Sequence, residues 1–152
     1  MKEMKIISLV ALLGCLCVFS GCASSGAIGT LPEIKNVNSA GEVYVIRESS
    51  IVGAAISYVV TVDESDIFEI GSGQYTKFKL NQGRHTIGVK CFGSWTPTIK
   101  EESIQVAVKA NGSSFLVIAP NARCAGIRQI DSSTGQAEVK SSKYVPFVGV
   151  NE

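Results

Sequence analysis

Residues 74–91 read QYTKFKLNQGRHTIGVKC, two runs of alternating polar and apolar residues separated by Asn81-Gln82-Gly83. A period of two places every second side chain on the same side of a β-strand. The side chains that would share the buried side are Thr76, Phe78 and Leu80 in the first run and Ile87, Val89 and Cys91 in the second. Asn and Gly suit a tight reversal because they adopt positive φ at little cost. The stretch therefore predicts two strands, each with one buried face, joined by a tight turn.

The same alternation recurs along the chain from Gly41 onward, and helical periodicity is missing there. The other runs predicted to be strands are residues 42–47, 55–63, 66–70, 104–109, 114–119, 124–131 and, as a last one, 136–140. Short strands at this spacing, without intervening helices, are typical of sandwiches and barrels. We therefore expect an all-β fold, an antiparallel β-sandwich of about seven to nine short strands over residues 41–152.

The N-terminal segment has the architecture of a signal peptide. Lys2 and Lys5 precede an almost entirely apolar run over residues 6–19. The run is short for a transmembrane helix, which needs about 20 apolar residues. It stops at Ser20-Gly21-Cys22, and polar residues follow at once. We expect residues 1–21 to be removed from the mature protein.

The triplet Ser20-Gly21-Cys22 resembles the lipobox of bacterial lipoproteins. The resemblance implies cleavage after residue 21 and a diacylglyceryl thioether on Cys22, and two acyl chains suffice for stable membrane anchoring. Two alternatives remain open. Residues 12–15 form a competing lipobox, and an ordinary secreted protein cut nearby would keep Cys22 as a thiol. The polar residues that begin at Ala23 favour Cys22 as the lipidated position.

Removal of residues 1–21 from 152 leaves 131 residues, enough for one domain with its own core. The cut takes two of the 14 basic and one of the 13 acidic residues, so the mature part is formally neutral. A neutral net charge gives no indication of a basic surface that would bind nucleic acid. Residues 22–40 carry small residues, Gly and one Pro without periodicity. We expect them to be the lipidated N-terminus and a flexible tether with a reach of about 20–25 Å.

Four short motifs of the chain follow one another in a recognisable order: residues 43–47 (VYVIR), 60–63 (VTVD), 73–75 (GQY) and 80–86 (LNQGRHT). In this order they resemble an uncharacterised bacterial lipoprotein family with a PEGA-like β-sandwich domain of unknown function. The chain departs from the usual pattern of that family at Asn81-Gln82, where Pro is commoner. The resemblance implies a PEGA-like sandwich in the cell envelope, and it implies no reaction.

Cys91 and Cys124 are the two cysteines that remain after processing and acylation. An oxidising compartment favours a disulfide between them, which would close a loop of about 30 residues. Two buried free thiols are the alternative. The two residues are too far apart in sequence for a Cys-x-x-Cys redox motif.

The segment Phe92-Gly93-Ser94-Trp95-Thr96-Pro97 places two aromatic residues in a loop with Gly and Pro. Loops on sandwiches carry function, and Trp is enriched at interaction hot spots. We therefore take Phe92, Trp95 and Pro97 as a candidate binding loop. The alternative is that Trp95 folds over the open end of the sandwich and belongs to the core.

The sequence contains no nucleophile elbow, phosphate-binding loop, zinc-protease motif or dinucleotide fingerprint. His85 is the only histidine, so a metal would find no second imidazole, and we expect a packed, hydrogen-bonded side chain. Residues 63–66 lack the spacing of a calcium loop and are predicted to be a solvated turn. Arg47 is expected to pair with a carboxylate or to donate to loop carbonyls. We expect no enzyme activity, no metal and no cofactor.

These observations together predict a lipid-anchored binding or assembly module of the cell envelope. The favoured location is the outer membrane of a Gram-negative cell, facing the periplasm, with a Gram-positive surface as the open alternative. The expected partners are the membrane, through the lipid on Cys22, and another envelope protein or a wall glycan. Two other functions remain open: a periplasmic carrier of a small apolar ligand and a hydrolase that uses His85.

Overall fold

The computed structural model describes residues 25–92, 99–122 and 125–148, and most of them lie in ten strands. The strands are β1 (Gly26–Ala27), β2 (Gly41–Arg47), β3 (Tyr58–Val62), β4 (Ser65–Ile70), β5 (Gln74–Leu80), β6 (Gly83–Phe92), β7 (Ile99–Val108), β8 (Ser113–Pro120), β9 (Ala125–Ile130) and β10 (Lys143–Tyr144). A 3-10 turn covers Val37–Ser39, and one helix, α1, covers Ser132–Ser141.

The strands form two five-stranded sheets that enclose a common core. The first sheet has the order β1-β4-β3-β6-β7, and the second has the order β10-β5-β2-β8-β9. The all-β sandwich expected from the sequence is therefore confirmed, with ten strands in place of the expected seven to nine. The additional strands, β1 and β10, are two residues long.

Pairing within the sheets is antiparallel except at two places in the second sheet. There β2 runs parallel to β8, from Glu42 opposite Ser113 to Arg47 opposite Ile118, and β10 runs parallel to β5. Both parallel partners are far apart in sequence, so no tight turn imposes an antiparallel arrangement on them. The expectation of a wholly antiparallel sandwich is corrected at these two pairs.

The stretch 74–91 links the two sheets. β5 belongs to the second sheet and β6 to the first, so the turn at Asn81-Gln82 carries the chain across the core and does not close a two-stranded ladder. Both predicted faces are buried in the same core. It contains Phe78 and Leu80 from β5 and Ile87, Val89 and Cys91 from β6. The period-two pattern thus predicted the buried faces of both strands correctly.

A helix replaces the last predicted strand. Residues 136–140 lie in α1, whose N-cap is Asp131. The Asp131 carboxylate accepts hydrogen bonds from the backbone N–H groups of Ser133 and Thr134, both at 3.0 Å. The hydroxyl of Ser133 also donates to this carboxylate, and these bonds lower the pKa of Asp131 below its usual range. The prediction of a strand at 136–140 was therefore wrong, because capping at Asp131 starts a helix.

α1 covers the outer face of the second sheet. Gly135 is buried against the ring of Phe115, and a Cβ at this position would stand 2.2 Å from that ring. Phe115 stacks on Tyr44 with ring centroids 4.6 Å apart. A second, smaller core thus lies between the helix and the sheet, and Val139 packs against it.

The segment expected to be a flexible tether lies against the sandwich from Gly26 onward. β1 pairs antiparallel with β4, with Gly26 opposite Glu69. Leu31 packs against the main core. Near the end of the segment, Asn81 accepts a hydrogen bond from the N–H of Lys35 at 2.9 Å and donates to the carbonyl of Glu33 at 2.7 Å. The expectation of a tether over residues 22–40 is therefore corrected for residues 26–40, since backbone pairing, the packing of Ala27 and Leu31 and the hydrogen bonds with Asn81 hold them.

Replacing Gly29 by alanine is expected to lift this segment off the sandwich. An added Cβ at Gly29 would stand 2.1 Å from the carbonyl oxygen of Asp66, and neither backbone can yield without losing hydrogen bonds. We expect a loss of about 1–3 kcal/mol in the free energy of unfolding, as for other overpacked sites. Faster proteolysis within residues 25–35 should accompany it. Thr30→Ala, at the exposed neighbouring position, is the control. Equal proteolysis of both variants would contradict the docked segment.

Candidate functional site

Several connections gather at one end of the sandwich, where β2 ends at Arg47, β3 begins at Tyr58 and β4 ends at Ile70. We call it the Arg47 end. The opposite end holds the turns at Asp63, Asn81 and Asn111. The Arg47 end contains the candidate functional site because it combines a buried charge with an exposed apolar loop.

Arg47 is 1% exposed and organises this end. Its Nη1 donates to the carbonyl oxygens of Ile56 and, at 2.9 Å, of Ile70, while its Nη2 donates to the carbonyl of Gly53 at 2.7 Å. The guanidinium lies 3.7 Å from the centroid of the Tyr58 ring. Burial lowers the pKa of Arg47 below its usual value, and three of its five N–H groups donate to carbonyl oxygens. The expectation that Arg47 donates to loop carbonyls is confirmed.

The loop of residues 48–57 is thereby held in a defined shape. Ser50 donates its N–H to the hydroxyl of Ser72 at 3.0 Å, and that hydroxyl donates back to the carbonyl of Ser50 at 3.2 Å. Within the loop, the N–H of Ile56 donates to the carbonyl of Gly53 at 3.0 Å. Gly53 has φ +74°, a conformation that favours glycine. The predicted strand 55–63 therefore begins only at Tyr58, because these turns occupy the residues before it.

The tip of this loop exposes two adjacent aliphatic side chains. Ile51 is 97% exposed and Val52 is 73% exposed. Sequence reasoning missed this pair, since residues 49–54 show no periodicity. The available signal was an Ile-Val dipeptide between two serines and a glycine, a composition that indicates a turn carrying apolar residues.

The N-terminal segment reaches the same end. Since β1 runs antiparallel to β4, the chain before Gly26 continues in the direction in which β4 runs from Glu69 to Ile70. Ile70 is the residue whose carbonyl oxygen accepts from Arg47. The chain therefore leaves the sandwich toward Cys22 at the Arg47 end.

Most of the site residues predicted from the sequence lie outside the described residues. These are Cys22, Trp95, Pro97 and Cys124. Phe92 is the last residue of β6, and β7 begins at Ile99, so both strands that flank the candidate binding loop stop at the Arg47 end. Cys91 is 2% exposed and disulfide-bonded. The prediction that Cys91 forms a disulfide agrees with this, while Cys124 as its partner stays a prediction.

His85 lies at the opposite end and joins two turns. Its Nδ1 is 2.7 Å from Oδ2 of Asp63, and its Nε2 is 2.9 Å from the carbonyl oxygen of Asn81. The other carboxylate oxygen of Asp63 accepts from the N–H of Thr86 at 2.9 Å. Asp63 and Glu64 have positive φ and form the two-residue turn between β3 and β4. The expectation of a hydrogen-bonded His85 is confirmed, and the turn expected over residues 63–66 is confined to residues 63–64, since Ser65 and Asp66 belong to β4.

A polar depression of about 450 Å³ lies on the outer face of the first sheet. It is lined by Thr61, Glu64, Thr86, Lys90, Glu101 and Ser103. Two of its three charged groups have partners, since Lys90 bonds to Asp66 at 2.7 Å and Glu101 accepts from Thr61 at 3.4 Å. The arrangement can offer hydrogen bonds to a polar ligand, and neither His nor Cys is among its lining residues.

Within residues 25–92, 99–122 and 125–148, no group of three or more His, Cys, Asp or Glu side chains is placed to hold a metal ion. The same residues include no helix with the length and hydropathy needed to cross a bilayer.

Comparisons of this chain with family models, curated proteins and solved structures found no match. Function is therefore inferred from the sequence motifs and from the geometry of the Arg47 end.

Proposed function

We propose that this chain is a lipid-anchored, non-catalytic binding or assembly module of the cell envelope. The observation that carries the proposal is Ser20-Gly21-Cys22 at the end of a charged and then apolar N-terminal segment. Acylation of Cys22 would hold the sandwich on the outer membrane of a Gram-negative cell, facing the periplasm. The resemblance to PEGA-like envelope lipoproteins supports the same setting.

The packing of the domain supports a binding role over a carrier role. A carrier of a small apolar ligand needs an interior cavity. In the described part of the chain, side chains such as Phe68, Phe78 and Leu116 fill the space between the sheets. The neutral charge of the mature chain gives no support to nucleic acid as a partner.

The position of the candidate binding loop favours an envelope protein over a wall glycan. The strands that flank the loop of Phe92, Trp95 and Pro97 stop at the Arg47 end, and the chain toward Cys22 leaves from that end as well. With Cys22 acylated, a loop at this end would reach components in or on the membrane more readily than wall glycan further away. We therefore propose a membrane-associated protein as the partner of this loop.

Crosslinking in intact cells, followed by mass identification of the adducts, tests the proposal. We expect acylated wild-type protein to form a reproducible adduct with one envelope protein, and Trp95→Ala to lose it while remaining folded and acylated. Cys22→Ala serves as the control for the anchor, and it should lose both the lipid and the adduct. An adduct that persists in Trp95→Ala would contradict the loop as the contact. Wild-type protein without lipid on Cys22 would contradict the anchor itself.

A further inference from the structure

The two aliphatic side chains at the tip of the 48–57 loop lie at the Arg47 end, where β1 begins. Ile51 and Val52 stand in water, although apolar surface is favourably removed from water. We therefore expect this pair to contact another molecule, since the isolated domain leaves it in water.

The loop cannot simply fold back to bury this pair. Arg47 binds the carbonyl oxygens of Gly53 and Ile56, which follow the pair, and Ser50, which precedes it, is tied to Ser72. These bonds fix the backbone that carries the tip, so the pair is presented in one orientation. Pre-organised apolar groups bind with less loss of conformational entropy than mobile ones.

The distance between anchor and sandwich is short. Three residues separate Cys22 from Gly26. A fully extended chain rises at most about 3.3–3.6 Å per residue, so Gly26 stays within about 14 Å of an acylated Cys22. Because residues 26–40 are paired or packed against the sandwich, this short segment replaces the long tether expected from the sequence. The Arg47 end is thus held close to the bilayer surface.

We propose that Ile51 and Val52 insert into the surface of the bilayer that holds the lipid of Cys22, so that the Arg47 end faces the membrane. This inference rests on the proposed lipid anchor. The pair would add a second, weaker membrane contact to the acyl chains and would orient the domain.

A bilayer fits the tip better than a protein partner does. A stable protein interface needs about 800 Å² from each side and commonly uses Trp, Tyr or Arg as anchors. Residues 49–54 contain none of these three residue types. Two aliphatic side chains at a rigid tip are sufficient for a lipid surface, which has no shape requirement.

The test uses an environment-sensitive fluorophore on the full, acylated chain. Ile51→Cys, labelled with the NBD fluorophore, is reconstituted into phosphatidylethanolamine and phosphatidylglycerol vesicles that carry a doxyl-labelled lipid as quencher. Val37→Cys with the same label is the matched control, because Val37 is an aliphatic residue, 62% exposed, near Ala40 at the opposite end. Circular dichroism confirms that both labelled proteins remain folded, and mass analysis of the N-terminal peptide confirms acylation.

We expect the label at residue 51 to shift its emission to shorter wavelength and to be quenched by the doxyl lipid about twofold or more, as for a group at acyl-chain depth. The label at residue 37 should show neither change. Equal quenching at both positions, or none at either, in acylated protein that sediments with vesicles would overturn the inference and leave the anchor intact. A spectral shift at residue 51 without lipid quenching would indicate a protein contact and would also overturn it. Protein that carries no lipid and stays in the supernatant would overturn the inference together with the proposed function.

Discussion

Replacing Arg47 by methionine is expected to lower the free energy of unfolding by about 3–4 kcal/mol. The substitution keeps a flexible, unbranched apolar stem but removes the guanidinium and its three charge-assisted hydrogen bonds to the carbonyls of Gly53, Ile56 and Ile70. It also removes the contact of the guanidinium with the Tyr58 ring. Urea unfolding followed by circular dichroism measures this loss.

The loop should respond more strongly than the rest of the domain. Hydrogen exchange at the amides of Ala54 and Ile56, which close turns in the loop, is expected to accelerate in Arg47→Met, while the amides of β8 remain protected. The matched control is Arg128→Met. Arg128 bonds to Glu48 at 3.1 Å close to the same loop, but its side chain is 61% exposed, so its removal should cost at most about 1 kcal/mol. Equal losses in the two variants would show that Arg47 is an ordinary surface charge.

The strands were predictable because their signal is local. Alternation within residues 74–91 identified the buried faces of β5 and β6 without any knowledge of their partners. The same local pattern cannot say which sheet a strand joins. A turn such as Asn81-Gln82 can connect two paired strands or two strands of different sheets. The sequence therefore does not distinguish these cases, and the crossing from one sheet to the other is known only from the structure.

The regions that were predicted incorrectly lack local periodicity. Residues 26–40 are held by backbone pairing to β4 and by the side chain of Asn81, and neither leaves a pattern in the segment itself. α1 has one large apolar residue, Val139, so its sequence shows neither a period of two nor one of 3.6. The signal that remained was Asp131 followed by three hydroxyl residues, which is a helix N-cap pattern.

In the candidate site as well, one feature has a local sequence signal and the others depend on the fold. Arg47 was expected either to pair with a carboxylate or to donate to loop carbonyls, and the structure shows the second of these. One end of the sandwich holds Ile51, Val52 and the start of β1 because of the directions in which the strands run. These directions follow from the sheet topology. A single sequence carries no direct information about that juxtaposition.

The second large effect is expected at Cys91. Replacing Cys91 by alanine should lower the free energy of unfolding by about 2–5 kcal/mol, as for the loss of a native disulfide from a small secreted domain. Cys91 is buried in the core and disulfide-bonded, so the substitution removes both the crosslink and core volume. Urea unfolding of the variant beside wild type, each with and without dithiothreitol, separates the two contributions. Reduced wild type loses only the crosslink, and the remaining difference between it and Cys91→Ala is the packing contribution.

The identity of the second cysteine follows from the same measurement. If Cys124 is the partner, Cys124→Ala should lose as much crosslink stability as reduced wild type, and dithiothreitol should have no further effect on it. The free energy of unfolding of the double variant should then equal that of Cys91→Ala, apart from a small packing change at residue 124, because both substitutions remove the same bond. A Cys124→Ala protein that keeps its sensitivity to dithiothreitol would show that Cys91 pairs elsewhere.

Pairing of Cys91 with another cysteine would also bear on acylation. The other cysteines of the chain are Cys15, Cys17 and Cys22, and of these only Cys22 would remain in the mature protein. A Cys22 engaged in a disulfide could not carry the lipid, so this stability measurement tests the anchor independently of any membrane experiment.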